Sequence, residues 1–160
     1  MDEIEFDVKM SAGALYDFYL YTTYTSLTGM LGTLVGILLL VNYASHKELA
    51  YLIFGLIVLF YLPVTLYISA KKNVLLVDSF KKTLHYRLDE KGMEVSQDDT
   101  IQTLEWDGVV KVCATASNIF VFTTKKTATI FPRKELGEKT TAIIALLSKY
   151  VEPKKMKIRF

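Results

Sequence analysis

Leu49-Ala50-Tyr51-Leu52-Ile53-Phe54-Gly55-Leu56-Ile57-Val58-Leu59-Phe60-Tyr61-Leu62-Pro63-Val64-Thr65-Leu66-Tyr67-Ile68-Ser69-Ala70 is a run of 22 residues without a formal charge, bounded by Glu48 and Lys71. As a helix rising about 1.5 Å per residue it is roughly 33 Å long, which matches a hydrocarbon core of about 30 Å. A soluble core helix would carry a polar stripe, and this run is apolar on every side. Pro63 lies inside it, where a kink is tolerated because neighbouring helices shield the freed backbone.

The run before it, Phe18–His46, has 29 residues without a formal charge, more than one span needs. Its early part, with Tyr16, Phe18, Tyr19, Tyr21 and Tyr24 nearby, is aromatic. Amphipathic rings favour the headgroup level, so the first span is predicted near Ser26–Tyr43 with its aromatic approach at the membrane interface. The second span is Leu49–Ala70, and the five-residue linker Ala44–Glu48 makes the two antiparallel. A cleaved signal peptide is disfavoured, because the residues before the apolar run are acidic and a second apolar run follows. Gly32 and Gly36 have the small-xxx-small spacing that lets a second backbone approach. The partner is either a second copy or this chain's own second helix, and the short linker favours the latter.

Of the 160 residues, 51% are hydrophobic and the mean hydropathy is +0.28, high for a soluble chain of this size. Residues 1–70 carry two basic and six acidic side chains, and residues 71–160 carry 17 and 11, so a net of −4 is followed by one of +6. Lys71, Lys72, Lys81 and Lys82 follow the second span, whereas the linker is neutral. The positive-inside rule therefore places both termini in the cytoplasm. The basic half suits an anionic membrane surface better than a nucleic acid.

From Lys82 the period becomes two. Strands are predicted at Leu84–Leu88, Met93–Ser96, Ile101–Trp106, Val109–Ala114, Asn118–Thr123 and Thr127–Phe131, with turns between them and Pro132 at the end. Ile143, Leu146, Leu147, Tyr150 and Val151 then recur at helical spacing and give one apolar face to bury on the sheet. At the other end, Ile4, Phe6, Val8 and Met10 alternate with Glu3, Glu5, Asp7 and Lys9. A lone strand is unstable in water, so residues 3–10 are expected to pair with an edge of the later sheet. The chain thus divides into an N-terminal strand (1–10), an interfacial helix with the hairpin (11–72), a β-domain with a C-terminal helix (73–152) and a basic tail (153–160) able to touch anionic lipid or remain solvated. Seven antiparallel strands capped by a helix resemble the pleckstrin-homology-like fold, which makes the expected class a membrane α+β protein.

The order of Glu3–Val8, the paired spans, Tyr61–Leu66, Phe80–Tyr86, Gly92–Ser96, Leu104-Glu105-Trp106 and Ile130–Gly137 resembles the YcxB-like family of bacterial membrane proteins. The resemblance covers nearly the whole chain. It implies two spans and a cytoplasmic β-rich domain in the bacterial cytoplasmic membrane, and it carries no reaction, ligand or catalytic residue.

Little in the sequence points to catalysis. His46 and His85 fall on opposite sides of the expected membrane and lack helical-spaced partners, so no metal site is expected. No phosphate loop, Gly-x-Ser-x-Gly elbow or His-Glu-x-x-His is present. The acid pairs Asp89-Glu90 and Asp98-Asp99 sit at turns. Cys113 is the only cysteine, which excludes an intramolecular disulfide, and it suits a buried strand position. Neither span holds an Asp, Glu, Lys, Arg or His, which argues against an ion or proton pathway. Trp106 is read as a core ring or, alternatively, a wall of a ligand groove. Lys125 and Lys126, at a strand turn, are solubilising residues or lipid contacts.

The expectation is therefore a non-enzymatic membrane-anchored interaction or regulatory module without a cofactor. Its β-domain would bind a protein or peptide near the bilayer, with membrane lipid and further copies of the chain as additional partners. The alternative is an immunity-type protein that intercepts a membrane-active peptide or toxin.

Overall fold

The computed structural model describes residues 3–158; residues 1, 2, 159 and 160, the outer ends of the N-terminal segment and of the basic tail, lie outside them. Strand β1 (Ile4–Lys9) leads into α1 (Ala12–Tyr24), whose first turn is capped by Ser11 Oγ, 3.1 Å from the Ala14 amide that donates to it. A second cap of the same kind, Ser26 on the Gly29 amide, starts α2 (Leu27–His46). Lys47 adopts a left-handed conformation, φ 57°, ends α2 and turns the chain into α3 (Leu49–Leu76), which continues without a break through Pro63.

Helices α2 and α3 form an antiparallel hairpin, and each is long and apolar enough to cross a membrane. Only 11% and 6% of their most apolar stretches are buried inside the protein, whereas the core helix of a soluble protein would be mostly buried. The first helix occupies nearly the predicted positions. The second extends six residues past Ala70, because Lys71, Lys72 and Asn73 end an apolar run without ending a helix.

The glycines decide which partner α2 meets. A Cβ on Gly36 would lie 2.6 Å from Leu59 Cγ, and one on Gly32 would rest 3.7 Å from Leu62 Cδ1. Both face α3 of the same chain, the partner that the short linker favours.

After the short helix α4 (Asp78–Lys81) come β2 (Thr83–Leu88), β3 (Gly92–Gln97), β4 (Thr100–Glu105), β5 (Lys111–Ala114), β6 (Asn118–Phe122) and β7 (Ala128–Pro132). They are followed by α5 (Arg133–Leu136), α6 (Lys139–Tyr150) and a two-residue strand, β8 (Met156–Lys157). The strands form two sheets of order β1-β2-β3-β4 and β7-β6-β5-β8, antiparallel except for β5 with β8.

Strand β1 pairs antiparallel with β2, Phe6 opposite Tyr86 and Val8 opposite Leu84, so the segments that enter and leave the hairpin meet beside it. Polar side chains meet across this seam: His85 Nδ1 lies 2.7 Å from Asp7 Oδ1, and Arg87 Nε lies 2.5 Å from the oppositely charged Glu3 at Oε1. Phe6 stacks on Tyr86 and meets Phe131 edge-on, at centroid distances of 5.5 and 5.2 Å, which joins the two sheets through aromatic contact. Ile143, Leu146, Leu147 and Val151 bury the predicted face of α6 in the same core. The tail differs from expectation: Met156 and Lys157 close an edge of the second sheet beside β5, and Met156 and Ile158 pack on the core.

The aromatic helix α1 packs on protein from two sides. Tyr16 meets Tyr67 edge-on and the Asn73 amide donates to the Tyr19 hydroxyl at 2.6 Å, so one side rests on the end of α3. Phe18 and Tyr21 pack on Phe120 and Phe122 of β6, so the other side rests on the second sheet. Covered on two sides, α1 is apolar nearly all round and couples the hairpin to the β-domain.

Candidate functional site

The turn from β2 to β3 sets the position of the first sheet. Asp89 Oδ1 accepts hydrogen bonds from the amides of Lys91 and Gly92, at 2.7 and 3.0 Å, an Asx turn that reverses the chain. Gly92 is required there, since a Cβ would lie 2.1 Å from the Leu104 carbonyl oxygen. Trp106 opens a 3-10 turn after β4; its buried ring stacks on Tyr150 at 6.4 Å, and its indole N–H donates to the Asp89 carbonyl at 3.0 Å. The ligand-groove alternative for Trp106 is thereby corrected. Its polar atom is satisfied internally and its ring is a core contact.

A groove of about 530 Å³ does open between the two sheets, some distance from Trp106. Leu15, Phe18 and Tyr19 of α1 form its floor, and Ser79 and Phe80 of α4 form a lip. One wall is the inner face of the first sheet, from Leu84 and Tyr86 across Val95 to Gln102. The other wall is the turn before β7 and the first half of that strand, every residue from Lys126 to Ile130 in turn. A wall of consecutive residues is the edge of a strand, because the face of a strand shows only alternate side chains.

That edge has free backbone groups. Thr127 accepts from the Thr123 amide and the Arg133 amide donates to Ser117, so the odd-numbered residues of β7 point their backbone groups toward β6. An antiparallel ladder alternates, and Ala128 and Ile130 therefore direct theirs to the groove. Pro132, which has no N–H, occupies the same outward phase. Gln97 is engaged, its Nε2 donating to the Ser79 carbonyl at 2.8 Å. Thr100, Gln102, Thr129 and the Lys126 ammonium line the groove without a side-chain partner among the described residues. Lys126 thus belongs to the groove, while Lys125 lies at the exposed hairpin tip away from it.

A second cavity, of about 750 Å³, lies at the N-terminal end of α1. Arg133 and Lys134 are offset there by Asp17 and Glu135, and Asp17 is already occupied as acceptor for the Thr115 hydroxyl and the Asn118 amide. The groove between the sheets is the better candidate, because its open strand edge lies beside the unengaged Thr100, Gln102 and Thr129, whereas the only buried, unpartnered side-chain atom of the second cavity among the described residues is Arg133 Nε.

Neither place carries a nucleophile with a base and an orienting group. Cys113 is buried on β5 and burial pushes its thiol up, away from the reactive thiolate. Burial also raises the Tyr21 phenol to about 12, the Cys113 thiol adding to the shift, and Lys111 Nζ donates to the Tyr21 hydroxyl at 3.2 Å. His46 ends α2 and His85 lies in β2, far apart in the fold. Among the described residues no three His, Cys, Asp or Glu side chains cluster to hold a metal ion. Asp98 pairs with Lys82 at the β3–β4 turn, which explains one member of that acid pair by turn chemistry.

Gln102, Thr129 and the free edge of β7 were not singled out from the sequence. The one local signal was Pro132, whose missing N–H marks the outward phase of its strand.

A model of the YcxB-like protein family matches residues 88–148, from the end of β2 into α6, and bears out the family likeness over that stretch. No curated protein and no solved structure matches the chain.

Proposed function

We propose that this chain is a membrane-anchored interaction module of the bacterial cytoplasmic membrane. Its hairpin spans the bilayer with both termini in the cytoplasm, and its pleckstrin-homology-like β-domain binds a protein or peptide partner beside the membrane. The exposed apolar faces of α2 and α3 support the anchor, and the four lysines after the second span support the orientation. The observation that carries the binding role is the unpaired edge of β7 over the groove. An extended segment added there would satisfy the outward N–H and C=O groups of Ala128 and Ile130 and set alternate side chains against the inner face of the first sheet. No step of chemistry is required of the site.

Two measurements test this. In a Cys113→Ala background, a cysteine at Ser45 should react with an impermeant reagent from outside and one at Ser148 should not; the reverse pattern overturns the orientation. A photo-crosslinking residue at Gln102 or Thr129 in native membranes should give a discrete protein adduct that the same residue at Ser148 does not give. Equal adducts from all three positions would remove the groove from consideration.

A further inference from the structure

Helix α3 is 28 residues long, about 42 Å at about 1.5 Å per residue. That exceeds a hydrocarbon core of about 30 Å and matches the roughly 40–45 Å of a bilayer with its headgroups. The last turns therefore have to be accounted for separately from the span. Beyond Tyr67 one side of the helix is covered: Ala70 is buried, Asn73 bonds Tyr19, and Val74 packs under α1. The other side is open. Leu75 and Leu76 are 70% and 74% exposed, as much as the most open side chains of the hairpin.

This open side continues the outward ridge of the span. Ile57, Val64 and Ile68 are exposed on one face, and Lys71 and Leu75, seven residues after Val64 and Ile68, continue it, with Lys72 and Leu76 beside them. Charge changes along it as well. Lys81 pairs with Asp78 and Lys82 with Asp98, while Lys71 lies over its own neighbour Tyr67, 4.9 Å from the ring, and Lys72 has no partner among the described residues. Two uncancelled positive charges thus stand one turn before two bare leucines, on a surface continuous with the one that faces lipid.

We infer that this end of α3 lies in the headgroup layer of an anionic leaflet, with the Lys71 and Lys72 ammonium groups on lipid phosphates and Leu75 and Leu76, one turn farther along the helix, held among the headgroups. The inference rests on the proposed membrane anchor and adds a lipid preference to it. Lysine stems reach along apolar surface while their charges seek phosphate, so the mixed ridge suits a charged interface better than either water or the bilayer core. Ser79 and Phe80, the lip of the groove, follow three residues later, and lipid docking of α3 would hold the groove mouth at the membrane surface.

Spin labels on the full chain test this in nanodiscs of phosphatidylcholine with or without phosphatidylglycerol. Single cysteines replace Ile57, Leu76 or Ser148 in a Cys113→Ala background, and collision rates are measured with oxygen and with a water-soluble nickel chelate. The label at 76 should favour oxygen in anionic discs and shift toward nickel in neutral ones. Lys71→Gln or Lys72→Gln should each move the docked-to-undocked ratio by about fivefold, as a lysine at an anionic surface is worth ~1 kcal/mol. If position 76 behaves like Ser148 in both discs while Ile57 reads as lipid, the inference is overturned and the anchor stands. Dipolar broadening at 76 that disappears on dilution with unlabelled protein would assign the ridge to a second copy and also overturn it. An aqueous pattern at Ile57 would overturn the anchor, and this inference with it.

Discussion

Asp17 of α1 accepts a hydrogen bond from the Asn118 side chain of β6 at 2.5 Å, across 101 positions of sequence. Asn118 is 1% exposed, and the carboxylate oxygen that receives its amide also receives the Thr115 hydroxyl. The helix that precedes the hairpin is thus fastened to the second sheet by a buried polar contact as well as by aromatic packing. Asp17→Ala would leave the Asn118 amide buried without its acceptor, at a cost of about 1–3 kcal/mol. Asp17→Asn keeps an acceptor oxygen and should cost less. Urea unfolding of the full chain in micelles, followed by tyrosine and tryptophan fluorescence, checks the order; equal losses would mean that the hydrogen bond is unimportant.

The seam between β1 and β2 makes a second prediction. Phe6→Ala removes a ring held between Tyr86 and Phe131 and should destabilise the β-domain by about 3–5 kcal/mol, whereas Glu5→Ala, an exposed position on the same strand, should stay within about 0.5. Residues 71–160 expressed alone should aggregate or exchange rapidly at the β2 amides, and a peptide of residues 1–10 should slow that exchange. A stable isolated fragment, indifferent to the peptide, would show that β1 is dispensable.

The two glycines of α2 should separate. Gly36→Val places a side chain where even a Cβ meets Leu59 at 2.6 Å, and the hairpin must open. Gly32→Ala adds a methyl at ordinary contact distance from Leu62 and should be tolerated. Disulfide formation between cysteines introduced at Leu40 and Gly55, in the Cys113→Ala background, should fall with Gly36→Val and persist with Gly32→Ala. A similar response to both would contradict the packing described.

Alkaline solution should weaken the fold. Burial raises Tyr21 from 10.0 to about 12 and raises Tyr86 further, so between those values the folded chain holds protons that the unfolded chain has released. Stability conferred on the protonated tyrosines is complete below pH ~10 and declines as pH rises through the folded values. Unfolding midpoints measured from pH 9 to 12 should fall, and Tyr21→Phe should flatten part of the slope. A midpoint that rose across this range would have the wrong sign.

Period and charge made much of this architecture legible. The uncharged windows marked both long helices, since a hydrophobic run is a local property, and the alternation at 3–10 and from Lys82 onward marked seven strands. The division of those strands into two sheets was not legible, because which strands share hydrogen bonds depends on contacts far apart in sequence. Strand β8 is too short to show alternation, and its parallel partner β5 lies more than forty residues away. The packing of the α1 tyrosines was not legible either, because an amphipathic ring suits a lipid headgroup and a protein seam equally well, and their contacts with Tyr67, Phe120 and Phe122 are long-range. The groove was hidden because an unpaired strand edge is a property of the backbone, on which side-chain types are nearly silent.

The pairing of β1 with β2 has a consequence for biogenesis. At roughly 5–20 residues per second, the ribosome takes on the order of 4–16 s to make Leu88 after it has made Lys9. Throughout that interval β1 has no partner, and the hairpin is made in between. Phe6, Val8 and Met10 are then uncovered, interleaved with Glu3, Glu5, Asp7 and Lys9, which hinder pairing with another nascent chain. Once the hairpin has formed, both ends leave it on the same side, and the search of β1 for β2 becomes a local one instead of the closure of a long flexible loop. Slowing the assembly of the hairpin should therefore expose these chains first at their amino ends.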